Sequence, residues 1–182
     1  QTIITDNSHL KQFALEIILD LGKVPAGRAE LFKHDGVVYY LDLLSTYANW
    51  RVNTFDVLSL WVRDDAAVQQ ILSRPDNLEK LVSVFVSRAK AVFVNLVEPM
   101  FRVVQSCVEI QLQMTKNKDF VSCLLRGLLG KEYDNLVRLK LMKILVILCD
   151  VHPAFTKFSK AHKLRSAIRE LREDRSILIV EL

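Results

Sequence analysis

Two asparagines, Asn53 and Asn95, occupy matching positions in two apolar segments of helical pattern. A side-chain amide both donates and accepts hydrogen bonds, so a row of asparagines can hold the backbone of an extended peptide. In the same alignment, Asp56, Glu98 and Lys140 form the next polar column. We expect this surface to bind protein partners. Its remaining candidate residues are Arg63, Arg102 and Lys143.

The asparagine row has only two members, because the next segment carries Val137 at the matching position. A solvated polar face that binds nothing would show the same residues, so both interpretations stay open. Trp50 and Trp61 fit a helix packed into the core. A partly exposed tryptophan that anchors an interface is the alternative.

A second candidate surface is the basic stretch over residues 157–175. Acidic residues are interleaved with the basic ones and aromatic residues are scarce, which argues against a nucleic-acid groove. A solvated helix face and a binding site for an acidic protein partner both remain open. The candidate residues are Lys160, Lys163, Arg165, Arg169 and Arg172.

The sequence shows no arrangement typical of catalysis or metal binding. Gly22 and Gly27 have the separation of phosphate-loop glycines, but the lysine and hydroxyl residue that must follow are missing. The histidines have no partner at zinc-ligand spacing, and we expect His34 and His162, in comparable turns, to be solvated. We therefore predict that this segment is not an enzyme and holds no cofactor and no metal.

Composition limits the fold class. The 182 residues are 51% hydrophobic and carry 25 basic against 21 acidic residues, which excludes a disordered chain. The longest apolar runs have about six residues, far short of the roughly 20 of a membrane helix. Five glycines and four prolines favour helices over turn-rich β folds. We expect the three cysteines to be buried, reduced thiols of a cytoplasmic protein.

Four polar breaks divide the chain at regular intervals, at 34–36, 74–77, 116–119 and 160–163. A large apolar residue precedes each break and another follows it, and both columns advance by 40, 42 and 44 residues. Two columns with the same drift indicate an internal repeat. The columns are Phe32, Leu72, Met114 and Phe158 before the breaks, and Val38, Leu78, Phe120 and Leu164 after them.

Each repeat contains a short, a medium and a long helical segment, as at 66–72, 77–87 and 92–107. Three helices in about 42 residues are typical of armadillo repeats. We predict an all-α, armadillo-type, right-handed superhelical solenoid that forms a single domain over residues 1–182, with further repeats or caps beyond both ends. The predicted repeats are a partial one at 8–21, three at about 27–62, 66–107 and 108–149, and a partial one at 153–182.

The first long helix, at 8–21, is indicated by an apolar stripe on a 3.6-residue period. Asn7 or Ser8 can cap this helix, and we expect Gly22 to end it. In the same way, Gly127 and Gly130 are expected to stop a later helix. The stripe consists of Leu10, Phe13, Ala14, Ile17, Ile18 and Leu21.

Four stretches of the chain, in this order and spacing, resemble a known family. They are 8–15, 41–44 followed by Trp50, 93–101 with its Glu-Pro pair, and 138–145. They look like the C-terminal armadillo region of the fungal septation-initiation and mitotic-exit serine/threonine protein kinases and of their plant relatives, the epsilon-type MAP kinase kinase kinases. The similarity covers about residues 8–172, and the Glu-Pro pair inside a long helix is its most specific element.

The resemblance implies a non-catalytic tail of a cytokinesis kinase whose catalytic domain lies elsewhere in the parent chain. Such a cytoplasmic interaction module would help to localise or regulate the kinase at the spindle pole body or the division site. The implied partners are the small Ras-like GTPase of the septation pathway, a spindle-pole scaffold, or a second copy of the kinase. No family motif assigns functions to numbered positions here. A free-standing armadillo adaptor that binds extended peptides of protein partners is the alternative.

Overall fold

A computed structural model describes residues 8–86 and 90–172. These ranges contain twelve α-helices and no β-strand, which confirms the predicted all-α class for the part of the chain that they cover. A 3₁₀ turn, Ala48–Trp50, precedes the fourth helix. In chain order the helices are α1 (Ser8–Lys23), α2 (Pro25–Phe32), α3 (Gly36–Thr46), α4 (Arg51–Asp64), α5 (Ala66–Leu72), α6 (Pro75–Phe85), α7 (Lys90–Ser106), α8 (Val108–Lys116), α9 (Lys118–Leu129), α10 (Asn135–Val151), α11 (Phe155–Ala161) and α12 (Leu164–Arg172).

The helices form sets of increasing length. Helices α2, α3 and α4 have 8, 11 and 14 residues, α5 to α7 have 7, 11 and 17, and α8 to α10 have 9, 12 and 17. This is the short, medium and long order predicted from the spacing of the polar breaks. Helices α11 and α12 begin a fourth set. The long helix expected from the apolar run at 177–180 lies outside the described residues.

Capping side chains and prolines set several helix starts, inside the polar breaks and outside them. The side chains of Asp65, Asn117 and Asp134 accept hydrogen bonds from backbone N–H groups in the first turns of α5, α9 and α10. Such caps satisfy donors that the helix itself leaves unpaired. Pro25 and Pro75 open α2 and α6, where a missing N–H costs nothing. The medium helix predicted at 77–87 therefore begins two residues earlier.

Neighbouring sets pack through equivalent helices. The long helices form a row in which α1 packs on α4, α4 on α7 and α7 on α10, and the medium helix α3 packs on α6 in the same way. Their aligned residues Leu15, Phe55 and Val97 are 4%, 0% and 3% exposed, while Leu139 is half-buried. The buried side chains join into one continuous hydrophobic cluster.

The two repeat columns are buried in three of the four sets, and the first set differs. Phe32 is 37% exposed, although its ring meets the edge of Trp61 with centroids 6.4 Å apart. In the second column Val37 is buried at 2% exposure, whereas the predicted Val38 is 50% exposed. The register of that column is therefore wrong by one residue in the first set, because two adjacent valines are indistinguishable by hydrophobicity alone.

Gly22 allows α1 to lie close against its neighbours rather than ending the helix. Helix α1 continues to Lys23, and a Cβ atom at Gly22 would stand 2.4 Å from Val57 Cγ1 and 2.5 Å from Tyr40 Oη. Gly127 likewise lies inside α9, and only Gly130 follows the last residue of that helix. The expected helix stops at Gly22 and Gly127 are therefore wrong.

Arg28 joins three helices at the end of α1. Its buried guanidinium donates hydrogen bonds to the carbonyl oxygens of Gly22 at 3.3 Å and Lys23 at 3.1 Å. It also donates to Asp64 Oδ2 at the end of α4, at 2.7 Å. A buried arginine is stable when its donors are paired in this way.

The three cysteines are free thiols, as predicted. Cys123 is buried as expected, whereas Cys107 and Cys149 are only half-buried, which differs from the expectation. Burial raises the pKa of all three thiols above the ordinary value, which keeps them protonated and poorly reactive at neutral pH.

No single helix within residues 8–86 and 90–172 is long and apolar enough to cross a membrane. Helices α7 and α8 reach that length and hydropathy only when taken together, and the chain turns by 116° between them.

Candidate protein-interaction site

The predicted partner-binding residues of the first surface lie on α4, α7 and α10, the last three long helices of the row. Because α4 packs on α7 and α7 on α10, the structure brings residues about 42 positions apart onto adjacent helices. Helix α4 carries Asn53, Asp56 and Arg63, helix α7 carries Asn95, Glu98 and Arg102, and helix α10 carries Lys140 and Lys143.

Asp56 and Arg102 form an ion pair between α4 and α7. The Arg102 guanidinium donates a hydrogen bond to the Asp56 carboxylate and a second, at 3.0 Å, to Ser59 Oγ. The hydroxyl of Ser59 in turn donates to the backbone carbonyl of Asp56 at 2.6 Å. The side chains of Arg102 and Asp56 are 20% and 39% exposed, so this network is partly shielded from water.

Glu98 and Lys140 form a second ion pair, between α7 and α10. Lys140 Nζ lies 2.6 Å from Glu98 Oε2 and 4.5 Å from the ring centroid of Phe101. The sequence placed Asp56, Glu98 and Lys140 in one polar column, but the structure divides them between two separate pairs. Four charges of the predicted surface therefore hold the long helices to one another.

Asn53, Asn95 and Lys143 are exposed side chains of the same helices. Arg63 is exposed as well, and it donates to Asp64 Oδ1 at 2.8 Å. That hydrogen bond, together with the charges of Arg63 and Arg28, lowers the pKa of Asp64 although partial burial opposes the shift. The two asparagines thus present neutral amides beside an internally paired set of charges.

An open cleft lies at the start of α4 and was not predicted from the sequence. It has a volume of about 420 Å³ and is bordered by Lys11, Leu15, Tyr47 and Trp50. Lys11 Nζ lies above the Tyr47 ring, 4.6 Å from its centroid. This is a cation–π contact, in which the aromatic face attracts the ammonium group. Lys11 and Tyr47 belong to different helix sets and fall in neither repeat column, so spacing gave no signal for them.

The two tryptophans differ in their environment. Trp61 is 1% exposed and its ring packs edge-on against Tyr40 with centroids 5.8 Å apart, as predicted for a core residue. Trp50 is half-buried and forms part of the cleft wall. Its partial exposure matches the alternative given for a tryptophan that anchors an interface. Asn53, in the first turn of α4, follows Trp50 by three residues.

The basic surface lies on α11, α12 and the turn between them. Helix α12 buries Leu164, Ala167 and Leu171 on one side, so its arginines stand on the other. Ile168, 50% exposed, is an apolar residue on that outer side. The exposed basic side chains are Lys160, Lys163, Arg165, Arg169 and Arg172.

His162 is half-buried beside this surface, so the expectation that it is solvated is wrong. Its ring lies 4.8 Å from that of Phe158, which also stacks against His152 at 4.7 Å. Burial, together with the charges of Lys118 and His152, lowers the pKa of His162 below its ordinary value. His34, in contrast, has a side chain that is 75% exposed.

No group of three or more His, Cys, Asp or Glu side chains in the described part of the chain is arranged to hold a metal ion. The site contains paired charges, exposed amides and an aromatic cleft. These groups can hydrogen-bond and pack against another polypeptide.

Comparison with known proteins gives one consistent group of relatives. The chain is 30% identical over 195 residues to the cytokinesis protein SepH of Aspergillus terreus, and 27% identical over 194 residues to that of Emericella nidulans. Both alignments include the whole of this chain. The chain is also 28% identical over 176 residues to MAP3K epsilon protein kinase 1 of Arabidopsis thaliana, an alignment of 94% of its length.

The chain matches one segment of much longer proteins. It spans 14% of the length of each SepH relative and 13% of the plant kinase. No family model matches the chain. The relatives are thus the cytokinesis proteins and epsilon-type protein kinases expected from the resemblance of the four sequence stretches.

Proposed function

We propose that this chain is a non-catalytic protein-interaction segment of a serine/threonine kinase of the septation and mitotic-exit pathway. The observation that carries the proposal is similarity over the whole chain to a segment of cytokinesis proteins and protein kinases. The catalytic domain would then lie elsewhere in the parent chain. The segment would help to localise or regulate the kinase through partner binding.

The proposed architecture is a single armadillo-type, right-handed superhelical solenoid. Its support is the recurrence of short, medium and long helices, together with the packing of equivalent helices in neighbouring sets. In such a solenoid the long helices form an extended surface, which suits the binding of a partner segment. The proposed repeats keep the boundaries given above.

We assign partner binding to the exposed groups beside the ion pairs. Asn53 and Asn95 lie on adjacent helices, and each amide can hydrogen-bond twice to an extended backbone. The cleft beside Trp50 can accept an apolar or aromatic side chain of the same partner. The proposed partners are the small Ras-like GTPase of the pathway, a spindle-pole scaffold or a second copy of the kinase, met in the cytoplasm at the spindle pole body or division site.

The test compares the partners captured by the natural full-length protein with those captured by its Asn53→Ala/Asn95→Ala variant. Both are expressed in synchronously dividing cells, and bound proteins are quantified by mass spectrometry. The control Gln70→Ala/Ser122→Ala removes two exposed polar side chains from α5 and α9. We expect a partner that wild type and control retain and that the asparagine variant loses by about tenfold.

Arg102 should stay intact in this experiment. Because its guanidinium joins α7 to both Asp56 and Ser59, a charge reversal would loosen helix packing and mimic a loss of binding. Equal capture by wild type and the asparagine variant would contradict the assignment of the site. In that case Arg165→Glu/Arg169→Glu on α12 tests the basic surface, whose binding should weaken as salt increases.

Capture of only unrelated peptide-bearing proteins would instead support a free-standing adaptor. Such an adaptor would use the same two amides, so only the identity of the captured proteins separates it from a kinase segment.

A further inference from the structure

The outer side of α1 is an exposed apolar surface. Its large side chains are spaced three or four residues apart along the helix and continue into the turn after it, so they form a single stripe. The opposite side of α1 is buried, with Leu15 at 4% and Leu19 at 2% exposure. We call the stripe the α1 outer face; it consists of Leu10, Phe13, Ile17, Leu21 and Val24, which are 53%, 62%, 45%, 44% and 49% exposed.

Two positions of this face, Ile17 and Leu21, are covered in every other long helix, whereas Phe13 matches the exposed Asn53 and Asn95. When the long helices are aligned on Leu15, Phe55, Val97 and Leu139, Ile17 matches Val57 of α4, Pro99 of α7 and Leu141 of α10. All three counterparts are buried. Leu21 matches Trp61, Val103 and Leu145, whose exposures are 1%, 0% and 6%.

The covering element can be seen directly for α4. Val57 lies against Gly22 of α1, so close that a Cβ atom on that glycine would clash with it. Along the row, α4 in turn packs on α7, and α7 packs on α10. Each long helix from α4 onward therefore packs against the long helix of the set before it. In α10 the counterpart of Ile17, Leu141, also lies against Gly127 of the medium helix α9. Helix α1 shows the apolar surface that such neighbours would cover.

We propose that three further helices N-terminal to Ser8 in the intact protein, a long one followed by a short and a medium one, cover Ile17 and Leu21 of the α1 outer face. A set such as α5 to α7 takes about 40 residues, so the occupant is a segment of that order rather than a short peptide. The SepH relatives, of which this chain spans 14%, have ample length for it. The row of long helices continues through this contact in the same geometry.

Thiol labelling of Ile17→Cys tests the proposal. The variant is made both in this 182-residue chain and in the natural full-length protein, and modification by N-ethylmaleimide is followed peptide by peptide with mass spectrometry. Ser122→Cys, at an exposed position on α9, serves as the control. We expect the thiol at position 17 to react at least about tenfold more slowly in the full-length protein, with equal rates for the control.

Two outcomes overturn the proposal. Equal labelling of Ile17→Cys in the two proteins would mean that nothing in the intact chain covers this face. Slow labelling already in the 182-residue chain, together with a dimer in sedimentation velocity, would identify a second copy as the occupant.

A second variant separates docking from folding. Ile17→Asp/Leu21→Asp changes two exposed side chains and should leave the melting temperature of the 182-residue chain unchanged. In the full-length protein it should increase hydrogen exchange of α1 and of the preceding set. An equal loss of thermal stability in both proteins would assign these residues to the core of this chain and overturn the proposal. Neither experiment depends on the partner of the proposed function.

Discussion

Arg102 on α7 donates a hydrogen bond to the carboxylate of Asp56 on α4, 46 residues earlier in the chain. Both residues were expected to face a partner, yet they bind one another. The pair differs from the surface pair Lys33–Glu30, whose side chains are 67% and 63% exposed, because the Arg102 side chain is only 20% exposed. Partial exclusion of water strengthens such a contact and raises the cost of leaving one member alone.

A double-mutant cycle of Asp56→Ala and Arg102→Ala should therefore give a coupling energy of about 1–2 kcal/mol in the free energy of unfolding. Urea denaturation of the four proteins measures it. The same cycle for Glu30→Ala and Lys33→Ala should give less than about 0.5 kcal/mol, as for exposed pairs generally. Equal coupling in the two cycles would mean that the network with Ser59 adds nothing.

Gly22→Ala should destabilise the protein by about 1–3 kcal/mol, since its methyl group would collide with Val57 and Tyr40. The collision therefore costs more than the roughly 1 kcal/mol by which alanine stabilises a helix relative to glycine. Ser122→Ala on α9 is the control, because its side chain is exposed and the change should stay within about 0.5 kcal/mol. Thermal and urea unfolding report both values, and a more stable Gly22→Ala protein would refute the close packing.

Thr54→Val should stabilise the protein by about 0.5–1.5 kcal/mol. Thr54 is fully buried, and its hydroxyl has no hydrogen-bond partner among the described residues, so valine removes an unpaired polar group. Thr46→Val is the comparison, because the Thr46 hydroxyl donates to the Asp42 carbonyl at 2.9 Å and stands near water. Urea denaturation measures the free energy of unfolding of both variants. A clear loss of stability in Thr54→Val would show that the hydroxyl of Thr54 is hydrogen-bonded in the wild-type protein.

Acidification should weaken the C-terminal helices through His162. Its pKa is lowered by burial first and then by Lys118 and His152, so the unfolded chain binds a proton at higher pH than the folded one. The contribution of His162 to the free energy of unfolding is fully present above about pH 6.5, the ordinary pKa of histidine. It is lost as the pH falls from there through the lowered pKa of the folded protein. The melting temperature should decrease over this window.

His162→Gln should flatten that decrease between pH 7 and pH 5.5. The exposed His9 provides the matched substitution, and His9→Gln should retain the wild-type slope. Scanning calorimetry across the range measures both. Identical slopes for wild type and His162→Gln would mean that folding does not change the pKa of this histidine.

Much of the helix order could be predicted because polar breaks and caps act locally. The short helix at 66–72 was placed correctly since Asp65 caps it and Ser73 follows it. The start of α6 was missed by two residues because Pro75, taken for part of a break, is the first residue of the helix. Periodicity identified α1 as an amphipathic helix, but it cannot say which neighbour covers the stripe.

The details of the candidate site depend on contacts between distant residues. Alignment located Asn53 and Asn95 on equivalent helices, since that follows from the repeat alone. It could not show that Glu98 pairs with Lys140, because the pairing depends on how α7 packs against α10. The aromatic cleft could not be predicted for the same reason, because Lys11 and Tyr47 meet only when α1 packs beside α3 and α4.

Extensive contacts between the helices join members of the same or adjacent sets. A tensile load along the chain would therefore meet a series of similar small barriers instead of one large one. Each set that detaches would release about 40 residues, or up to about 140 Å of extended polypeptide. A segment built in this way would lengthen stepwise under force while the remaining sets keep their packing.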